Sequence, residues 1–499
     1  MNIIKQLYGH SLSLLTDLYQ LTMAYGYWKS QKIDFEAVFT LFFRKPPFKS
    51  GYTIAAGLET VLAYIEDLHF TNDDLSYLAT LTGADGKPLF EQAFLDYLRK
   101  LRFKCDIDAV PEGTVVFPHQ PLLRVQGSLL QCQILETALL NIVNFQTLIA
   151  TKAARVCFAA QGDPVLEFGL RRAQGIDGGL AASRATYIGG CVATSNVLAG
   201  KLYGIPVKGT HAHSWVMSFD SEEEAFKTYA KTMPNNAIFL VDTFDTLKGT
   251  KNAIEMGQWL REKGHQLGGV RLDSGDFVQL SQQVRKMLDE AGFEQARIVA
   301  SSDLDERLIA DLKSAGAQID VWGVGTKLIT SYDQAALGGV YKISAIRQLG
   351  SEWQYRLKLS EEPIKISNPG LLQVRRFTDD AGQFCGDMIY NQAEPPVGVP
   401  NMVHLSAVHP EPTEEDTTLL SADTPYQDLL IPVLRKGEPV IDLPSLTQIR
   451  ERVQTQLAHC PAAIKRLDTP EVYPVSLDIA LYQLKQTLIK KIRNDSALK

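Results

Sequence analysis

The sequence predicts an α/β protein whose active site lies at one end of a parallel βα barrel. From about residue 163, short apolar runs recur, and helix-sized intervals of roughly 20 to 40 residues separate them. Polar residues follow these runs directly, which is where a βα barrel assembles its active site. The sequence has no GxGxxG motif after a first strand, and this disfavours a dinucleotide-binding sheet.

The composition is typical of a large soluble protein. The length of 499 residues suggests two or three domains, and 45% hydrophobic with 21% charged residues is sufficient for a sizeable core. The formal net charge of −7 excludes a polybasic surface for nucleic acid. An anionic ligand therefore needs a local cluster of cations.

The cysteines and the apolar stretches predict a cytoplasmic location. The six cysteines form no CxxC pair, which favours reduced thiols over a zinc site or a disulfide framework. The N-terminal segment lacks the apolar stretch and the cleavage site of a signal peptide. Since the chain also has no stretch of about 18 unbroken apolar residues, we expect no membrane partner.

Residues 1–145 have a mixed α/β pattern. Thr16 and Asp17 precede an amphipathic run and can cap it as a helix, while Pro46 and Pro47 must end the strand before them. The predicted elements are a helix over 18–28, strands over 36–43 and 51–56, short strands within 106–125, and one long helix, with or without a break, over 129–160.

Residues 146–345 contain seven apolar runs that we predict to be strands of successive βα units. They are PVLEFG (164–169), IPVKGT (205–210), AIFLVDT (237–243), GGVRLDSGD (268–276), RIVASSD (297–303), DVWGVGT (320–326) and GVYKIS (339–344). Right-handed crossovers between them give a parallel sheet with helices outside. Residues 346–499 form an accessory region that ends in an amphipathic helix over 476–492.

Basic and acidic groups concentrate at the predicted strand ends. Arg171 and Arg172 suit bidentate binding of phosphate, although an arginine pair alone is as often a surface feature. Asp273 and Asp276 suit a magnesium–pyrophosphate complex or ribose hydroxyls, because Mg²⁺ prefers few carboxylates plus substrate oxygens. Acidic residues at two further strand ends strengthen the case for a metal–polyphosphate substrate.

A glycine-rich turn ends the run at 320–326. Gly323, Gly325 and Thr326 lead into a predicted helix, and the backbone N–H groups of such a turn form a phosphate cradle late in a barrel. The sequence has no GxxxxGK[ST] loop, so ATP would not bind in the P-loop manner. The residues alone predict an enzyme that acts on a magnesium-bound phosphorylated sugar and do not identify the acceptor.

Two histidines follow the second run. On extended backbone His211 and His213 would face the same way, as structural residues, as a zinc pair, or as a nucleophile or acid–base group. A zinc site in a barrel needs histidines at later strand ends. The remaining histidines precede a strand or follow the barrel: His265, His404, His409 and His459. The zinc interpretation therefore fails.

Several motifs together resemble the nicotinate phosphoribosyltransferase family. The most specific is TDLYQLTMAYG at 16–26, and the others follow in the family's order: EFGLRRAQG, GTHAHSW, DTFDT, RLDSGD, GVGTKL and GGVYKIS. The motif KISNPG at 365–370 extends the resemblance towards the C-terminus. The resemblance implies an irregular TIM-like α/β barrel plus a second α/β domain built from N- and C-terminal segments. It also implies a homodimer with shared active sites.

The same resemblance implies roles for individual residues. His213 corresponds to the family's autophosphorylated histidine, whereas His211 lies outside that motif's core. The residues that would bind nicotinate are Tyr19, Phe168, Thr210 and Arg271. Those that would bind phosphoribosyl pyrophosphate are Arg171, Asp273, Gly323, Gly325 and Thr326. Mg²⁺ or Mn²⁺ would approach Asp273 and Asp276 through the substrate's pyrophosphate.

The implied reaction transfers the phosphoribosyl group to nicotinate and gives nicotinate mononucleotide and pyrophosphate, a step of NAD salvage. ATP would phosphorylate His213, and hydrolysis of the phosphohistidine would then release phosphate beside ADP. Two alternatives stay open, a nicotinamide phosphoribosyltransferase and a non-catalytic paralogue. Relatives that use nicotinamide tend to have an aspartate where this chain has Ser195, and a serine there favours a carboxylate substrate.

Overall fold

The computed structural model describes residues 12–398, 400–405 and 417–497. Residues 1–11 and His409, which the sequence interpretation included, lie outside this part. The strands are β1 Phe35–Phe43, β2 Thr53–Ile54, β3 Asp106–Ala109, β4 Val115–Val116, β5 Leu123–Ser128, β6 Val165–Glu167, β7 Ala193–Thr194, β8 Ile238–Leu240, β9 Gly269–Leu272, β10 Arg297–Ser302, β11 Val321–Val324, β12 Gly339–Gln348, β13 Gln354–Tyr355, β14 Leu372–Thr378, β15 Phe384–Asn391, β16 Asn401–His404, β17 Thr417–Leu419, β18 Tyr426–Asp428, β19 Ile431–Arg435, β20 Glu438–Pro439 and β21 Val475–Asp478.

The α-helices of the described residues flank and connect these strands. They are α1 Leu18–Lys29, α2 Leu58–Glu66, α3 Asn72–Ala79, α4 Gln92–Lys100, α5 Leu129–Ile134, α6 Glu136–Ala159, α7 Ile176–Ile188, α8 Val197–Tyr203, α9 His213–Met217, α10 Glu222–Thr232, α11 Thr246–Glu262, α12 Phe277–Glu290, α13 Glu306–Ser314, α14 Thr326–Ile329, α15 Leu446–His459 and α16 Ile479–Ala497. None of these helices has both the length and the apolar character needed to cross a membrane.

The middle of the chain forms a parallel six-stranded sheet in the order β7-β6-β11-β10-β9-β8. All five ladders between neighbours are parallel, as the βα pattern of the sequence predicts. Its core is closely packed, with Trp322, Phe239, Val270 and Ile298 fully buried. The carboxyl ends of the strands meet at one edge of this sheet, where the site lies.

The ladders do not confirm the predicted closure of this sheet into a barrel. The predicted strand at 205–210 makes only one isolated bridge, between Val207 and Thr194, so within the described residues the sheet stays open between this segment and β8. Pro206 has no N–H to donate, which weakens a ladder at this point. The strand β7, which is two residues long, is too short for a periodicity in the sequence to reveal it.

The prediction that the run at 339–344 belongs to the parallel sheet is wrong. This run is the start of β12, which pairs antiparallel with β1 along its whole length. Tyr341 on β12 stacks on Phe39 of β1 with ring centroids 4.9 Å apart. Burial of these two rings against each other stabilises β12 in the sheet that contains β1, outside the parallel sheet.

The rest of the described chain forms a second α/β part around two further sheets. The seven-stranded sheet has the order β13-β12-β1-β5-β3-β19-β20, and the six-stranded one has the order β17-β16-β21-β15-β14-β18. The first of these combines N-terminal with C-terminal strands, as the resemblance implies. The domain limits at 145 and 345 stay predictions.

The predicted helices exist with small differences at their ends. The helix expected over 18–28 is α1, and Asp17 is its N-cap residue but forms no capping hydrogen bond with its side chain. The long helix expected over 129–160 is broken at Leu135 into α5 and α6. The C-terminal helix begins at Ile479, three residues later than predicted, because the preceding residues form β21.

Candidate active site

A cavity of about 330 Å³ opens at the carboxyl ends of β6, β9, β10 and β11. Its wall combines an aromatic ring, three arginines, two aspartates and several hydroxyl groups. The lining residues are Phe168, Gly169, Arg171, Arg172, Ser195, Gly209, Thr210, His211, Ala212, Arg271, Asp273, Ser301, Ser302, Asp303, Gly323, Gly325 and Thr326. Parallel strands place their carboxyl ends together, so residues far apart in sequence meet here.

Arg271, near the end of β9, supplies a partly buried cation to the cavity. Its Nη1 donates a hydrogen bond to Thr210 Oγ1, and its Nε is buried without a partner in the described structure. Burial lowers the pKa of Arg271, and the charges of Asp273 and Asp242 only partly offset this effect. A guanidinium with an unpaired buried donor is a ready partner for an anionic ligand.

A network of carboxylates lies beside Arg271. Asp242 Oδ2 accepts hydrogen bonds from the backbone N of Asp273, at 2.8 Å, and from Ser274 Oγ, at 2.7 Å. Ser301 donates to Asp273 Oδ1. The second oxygen of Asp242 is buried without a hydrogen-bond partner among the described residues. The network therefore fixes Asp273 while it leaves carboxylate oxygen atoms for a ligand.

His213 begins α9 at the margin of this network. Its Nδ1 lies 3.1 Å from Thr243 Oγ1, and its Nε2 lies 3.8 Å from Asp273 Oδ2. It does not line the cavity itself but faces the carboxylate that does. The imidazole is therefore partly exposed beside the cavity.

His211 has different surroundings, although it lies only two residues earlier. Its Nε2 accepts a hydrogen bond from the backbone N of Leu240, and aromatic rings of Phe226, Tyr229 and Phe239 surround it. Burial lowers the pKa of His211 to about 4. The side chain is therefore neutral at pH 7, and its Nε2 lone pair is already occupied.

The opposite wall combines arginines with the turn before α14. Arg172 Nη1 donates to Thr326 Oγ1 at 2.6 Å and lies 3.7 Å from Asp303 Oδ1. The ring of Phe168 fills the space above Gly323, where a Cβ would come within 2.8 Å of it. A residue larger than glycine would therefore displace the ring from the cavity.

Glu167 holds two segments of the wall in place from below. This carboxylate is fully buried and accepts hydrogen bonds from Gly169 N, Ser183 Oγ and Thr194 Oγ1. The first fixes the loop after β6, and the last fixes the segment that leads to Ser195. Glu167 acts through these partners and does not line the cavity.

The structure brings together most of the residues that the sequence singled out. Of the residues to which the resemblance gives a role, eight line the cavity: Phe168, Arg171, Thr210, Arg271, Asp273, Gly323, Gly325 and Thr326. Asp276 does not, because its carboxylate caps α12 by accepting from the N–H groups of Val278 and Gln279. Tyr19 lies elsewhere, on the exposed side of α1, with 47% of its surface accessible.

Sequence reasoning did not single out Ser301, Ser302 or Glu167. The serines follow the apolar core of β10 directly, so the rule that polar residues at strand ends face the site could have included them. Ser302 has a φ of 143°, a conformation that costs energy for a residue other than glycine and is common at functional sites. Glu167 gives no such signal, because its importance depends on partners distant in sequence.

Comparisons with known proteins agree with this geometry. Residues 165–354, which contain the whole cavity wall, match the model described as the nicotinate phosphoribosyltransferase (NAPRTase) family. Residues 14–144 match its N-terminal domain and residues 372–485 its C-terminal domain. The nicotinate phosphoribosyltransferase of Bacillus subtilis is 44% identical over 97% of this chain and 96% of its own length. This chain belongs to the nicotinate phosphoribosyltransferase family.

Further relatives extend the family across kingdoms. The human nicotinate phosphoribosyltransferase is 36% identical over 95% of this chain and 96% of its own length. The crystal structure of human nicotinic acid phosphoribosyltransferase superposes with a TM-score of 0.82 and 33% identity, covering 95% of this chain and 100% of that one. The nicotinate-nucleotide pyrophosphorylase of Pyrococcus furiosus, at a TM-score of 0.68 and 22% identity, shares the fold.

Proposed function

We propose that this member of the nicotinate phosphoribosyltransferase family transfers the phosphoribosyl group of phosphoribosyl pyrophosphate to nicotinate, in NAD salvage. The observation that supports it best is the pairing, in one cavity, of the partly buried Arg271 with the segment of Arg171 and Arg172 beside Thr326. The first suits a carboxylate and the second suits phosphate oxygens. The relatives' names describe this same pair of substrates.

Nicotinate would bind with its carboxylate on Arg271. The unpaired Nε of this guanidinium is buried, so a carboxylate would satisfy it at low desolvation cost. The Phe168 ring would cover one face of the pyridine. Ser195 adds no negative charge to this wall, which favours nicotinate over nicotinamide.

Phosphoribosyl pyrophosphate would occupy the opposite wall. Arg171 and Arg172 would hold phosphate oxygens, and the turn at Gly325 and Thr326 would hold the ribose phosphate. Asp273 would face the ribose. With the two substrates on opposite walls, the pyridine nitrogen can attack C1 of the ribose as the C1–O bond to pyrophosphate breaks.

The residues fit a Mg²⁺ or Mn²⁺ ion that arrives with the pyrophosphate. In the described residues, no group of three or more histidine, cysteine or carboxylate side chains forms a metal cage. Oδ2 of Asp273, which lines the cavity and accepts no hydrogen bond from the described residues, would contribute to an ion that keeps substrate oxygens as its main ligands. The ion would neutralise the charge that develops on the leaving pyrophosphate. Asp276 is the weaker candidate because its carboxylate caps α12.

ATP would act through His213. Its γ-phosphoryl group would move to the imidazole and ADP would leave, and water would later release phosphate. The open position of His213, 3.8 Å from Asp273, supports this role, whereas His211 is buried and hydrogen-bonded. Coupling by this route requires that the phosphorylated state binds phosphoribosyl pyrophosphate more tightly.

A homodimer with shared sites would give Tyr19 its role on the pyridine ring. This residue is outside the cavity of its own chain and lies on α1 in an exposed apolar patch, which comprises Leu12, Leu15, Leu18, Tyr19 and Met23. A patch of this kind suits a protein partner. A second apolar patch lies on α8, where Val197, Leu198 and Leu202 are exposed, and would meet α1 of the other copy.

We also propose that the parallel sheet closes irregularly into a barrel through side chains. Asn236 Nδ2 donates to the carbonyl of Gly209, and His211 Nε2 accepts from Leu240 N. Both bonds cross the gap that the ladders leave open.

The test incubates purified protein with phosphoribosyl pyrophosphate and Mg²⁺, with nicotinate or nicotinamide, and with or without ATP. Nicotinate mononucleotide that forms faster with ATP is the expected product. Turnover of nicotinamide in its place would contradict the role of Ser195. No product from either substrate would favour a non-catalytic paralogue. In His213→Asn, the ratio of the rates with and without ATP should fall to about one.

A further inference from the structure

The two ring nitrogens of His213 have unequal surroundings. Nδ1 lies at hydrogen-bond distance, 3.1 Å, from Thr243 Oγ1. Nε2 has no hydrogen-bond partner among the described residues, and Asp273 Oδ2, at 3.8 Å, is too distant to be one. The side chain is 39% exposed, so a ligand can reach it.

We propose that Thr243 is a positioning residue that accepts the Nδ1–H of His213 and thereby makes Nε2 the phosphorylated atom. This inference rests on the proposed ATP coupling. The Thr243 oxygen occupies the approach to Nδ1, so a phosphoryl group cannot reach that nitrogen in line. A neutral imidazole has one N–H, and keeping it on Nδ1 leaves the lone pair on Nε2.

The phosphoryl transfer then needs no proton movement at the histidine. The Nε2 lone pair forms the N–P bond while the bond between the γ-phosphorus and its bridging oxygen breaks, and ADP leaves with that oxygen. The ring becomes positively charged and its Nδ1–H becomes a stronger donor. Thr243 therefore holds the phosphorylated ring more tightly than the free one.

The neighbouring carboxylate of Asp273 faces the Nε2 side of the His213 ring. The backbone N of Asp273 donates to Asp242, and Ser301 donates to its Oδ1, so its Oδ2 is the oxygen that faces His213. A phosphoryl group on Nε2 would approach this negative charge, so the phosphorylated state would need a cation between the two groups. Asp242 and Thr243 lie two and three residues after the end of β8, so the segment after this one strand contacts both Asp273 and His213.

The test compares Thr243→Val, which keeps the shape but removes the oxygen, with Thr243→Ser, which keeps the oxygen. Each protein is incubated with γ-labelled ATP and Mg²⁺, and the labelled histidine is identified as the Nδ1 or the Nε2 isomer against chemical standards. Thr232→Val, an exposed change on α10, is the matched control, and His213→Asn is the blank. Nitrogen-15 spectra of histidine-labelled protein give the ring tautomer directly, and thermal melts confirm that the variants fold.

We expect only the Nε2 isomer in the unmodified protein, about fivefold to tenfold slower labelling in Thr243→Val, and near-normal labelling in Thr243→Ser and Thr232→Val. In Thr243→Val, the tautomer with the proton on Nε2 should become populated. The Nδ1 isomer in the unmodified protein, or normal labelling of a folded Thr243→Val, would overturn the role of Thr243 alone. If His213 takes up no label at all, ATP coupling through this residue fails and the inference fails with it.

Discussion

A fully buried arginine in the framework, Arg184, and a partly buried one at the cavity, Arg271, differ in how the protein compensates their charge. Arg184, on α7, donates to both oxygen atoms of Glu112 and also to Glu59 and Gln146. It joins the parallel sheet's layer to the N-terminal part. Arg271 has a single hydrogen-bonded partner, Thr210, and a buried unpaired Nε. Protein groups accept hydrogen bonds from every nitrogen of the Arg184 guanidinium, whereas Arg271 keeps a nitrogen without a partner among the described residues.

The pKa values of the two guanidiniums change in opposite directions for this reason. Burial lowers the pKa of Arg184, but the charge and the hydrogen bonds of Glu112 and Glu59 outweigh burial and raise it above its ordinary value. Burial also lowers the pKa of Arg271, and there the nearby carboxylates do not compensate. A buried charge without full compensation is costly, so its presence at a cavity indicates a site for an anion.

The largest effect on stability should come from removing the fully paired Arg184. Arg184→Met leaves Glu112 buried without its cation and should lower the free energy of unfolding by about 3–5 kcal/mol. Denaturant unfolding of the full chain measures it. Arg297→Met, at an exposed position, is the control and should change stability by less than about 0.5 kcal/mol. Equal stabilities of Arg184→Met and this control would refute a structural role for the ion pair.

Replacing Arg271 should affect catalysis and leave stability unchanged, the opposite of replacing Arg184. Arg271→Met removes the proposed carboxylate partner and should reduce kcat/KM for nicotinate by a factor equivalent to about 2–5 kcal/mol, that is, about thirtyfold or more. Its melting temperature should not fall, because a costly buried charge disappears. Steady-state kinetics and a thermal melt of the same preparation give both results. A large loss of stability with unchanged kcat/KM would show that the comparison of the two arginines is mistaken.

The sequence predicted the parallel part of the fold well because its strands are buried and continuous. Five of the seven apolar runs became neighbouring parallel strands. The run at 339–344 did not, because apolar residues alone do not tell which sheet buries them. The segment at 205–210 has a strand-like composition, yet Pro206 and its surroundings allow only one bridge.

The residues of the site also divide into those that the sequence predicts and those that it does not. Residues at or directly after the end of a strand, such as Arg271 and Asp273, could be predicted from position and chemistry. Arg184 and Glu167 could not, because the partners that define them lie up to 125 residues away in the chain. Only the folded structure distinguishes a compensated charge from an uncompensated one.

A new charge at the cavity should sharpen the same distinction. Ser195→Asp places a carboxylate on the cavity wall, where it repels the carboxylate of nicotinate. This change should reduce kcat/KM for nicotinate by a factor equivalent to about 2 kcal/mol, roughly thirtyfold. Ser195→Asn, of the same size without the charge, is the control. Relative turnover of nicotinate and nicotinamide measures the effect. A similar loss in both variants would mean that size, not charge, is what matters at this position.

The smallest predicted effect is the contribution of the buried His211 to the pH dependence of stability. The pKa of His211 is about 4 in the folded protein and about 6.5 when unfolded, so the unfolded state binds the proton more readily. The stability from neutral His211 is thus complete above about pH 6.5 and is lost as the pH falls towards 4.

The variant His211→Gln retains an acceptor for Leu240 N but does not titrate. Its stability should fall less between pH 7 and 5.5 than that of the unmodified protein, by about 1 kcal/mol. Denaturant unfolding at the two pH values measures this difference, and His119, whose pKa is also about 4, contributes equally to both proteins. If His211→Gln kept the pH dependence of the unmodified protein, burial would not be the cause of the low pKa of His211.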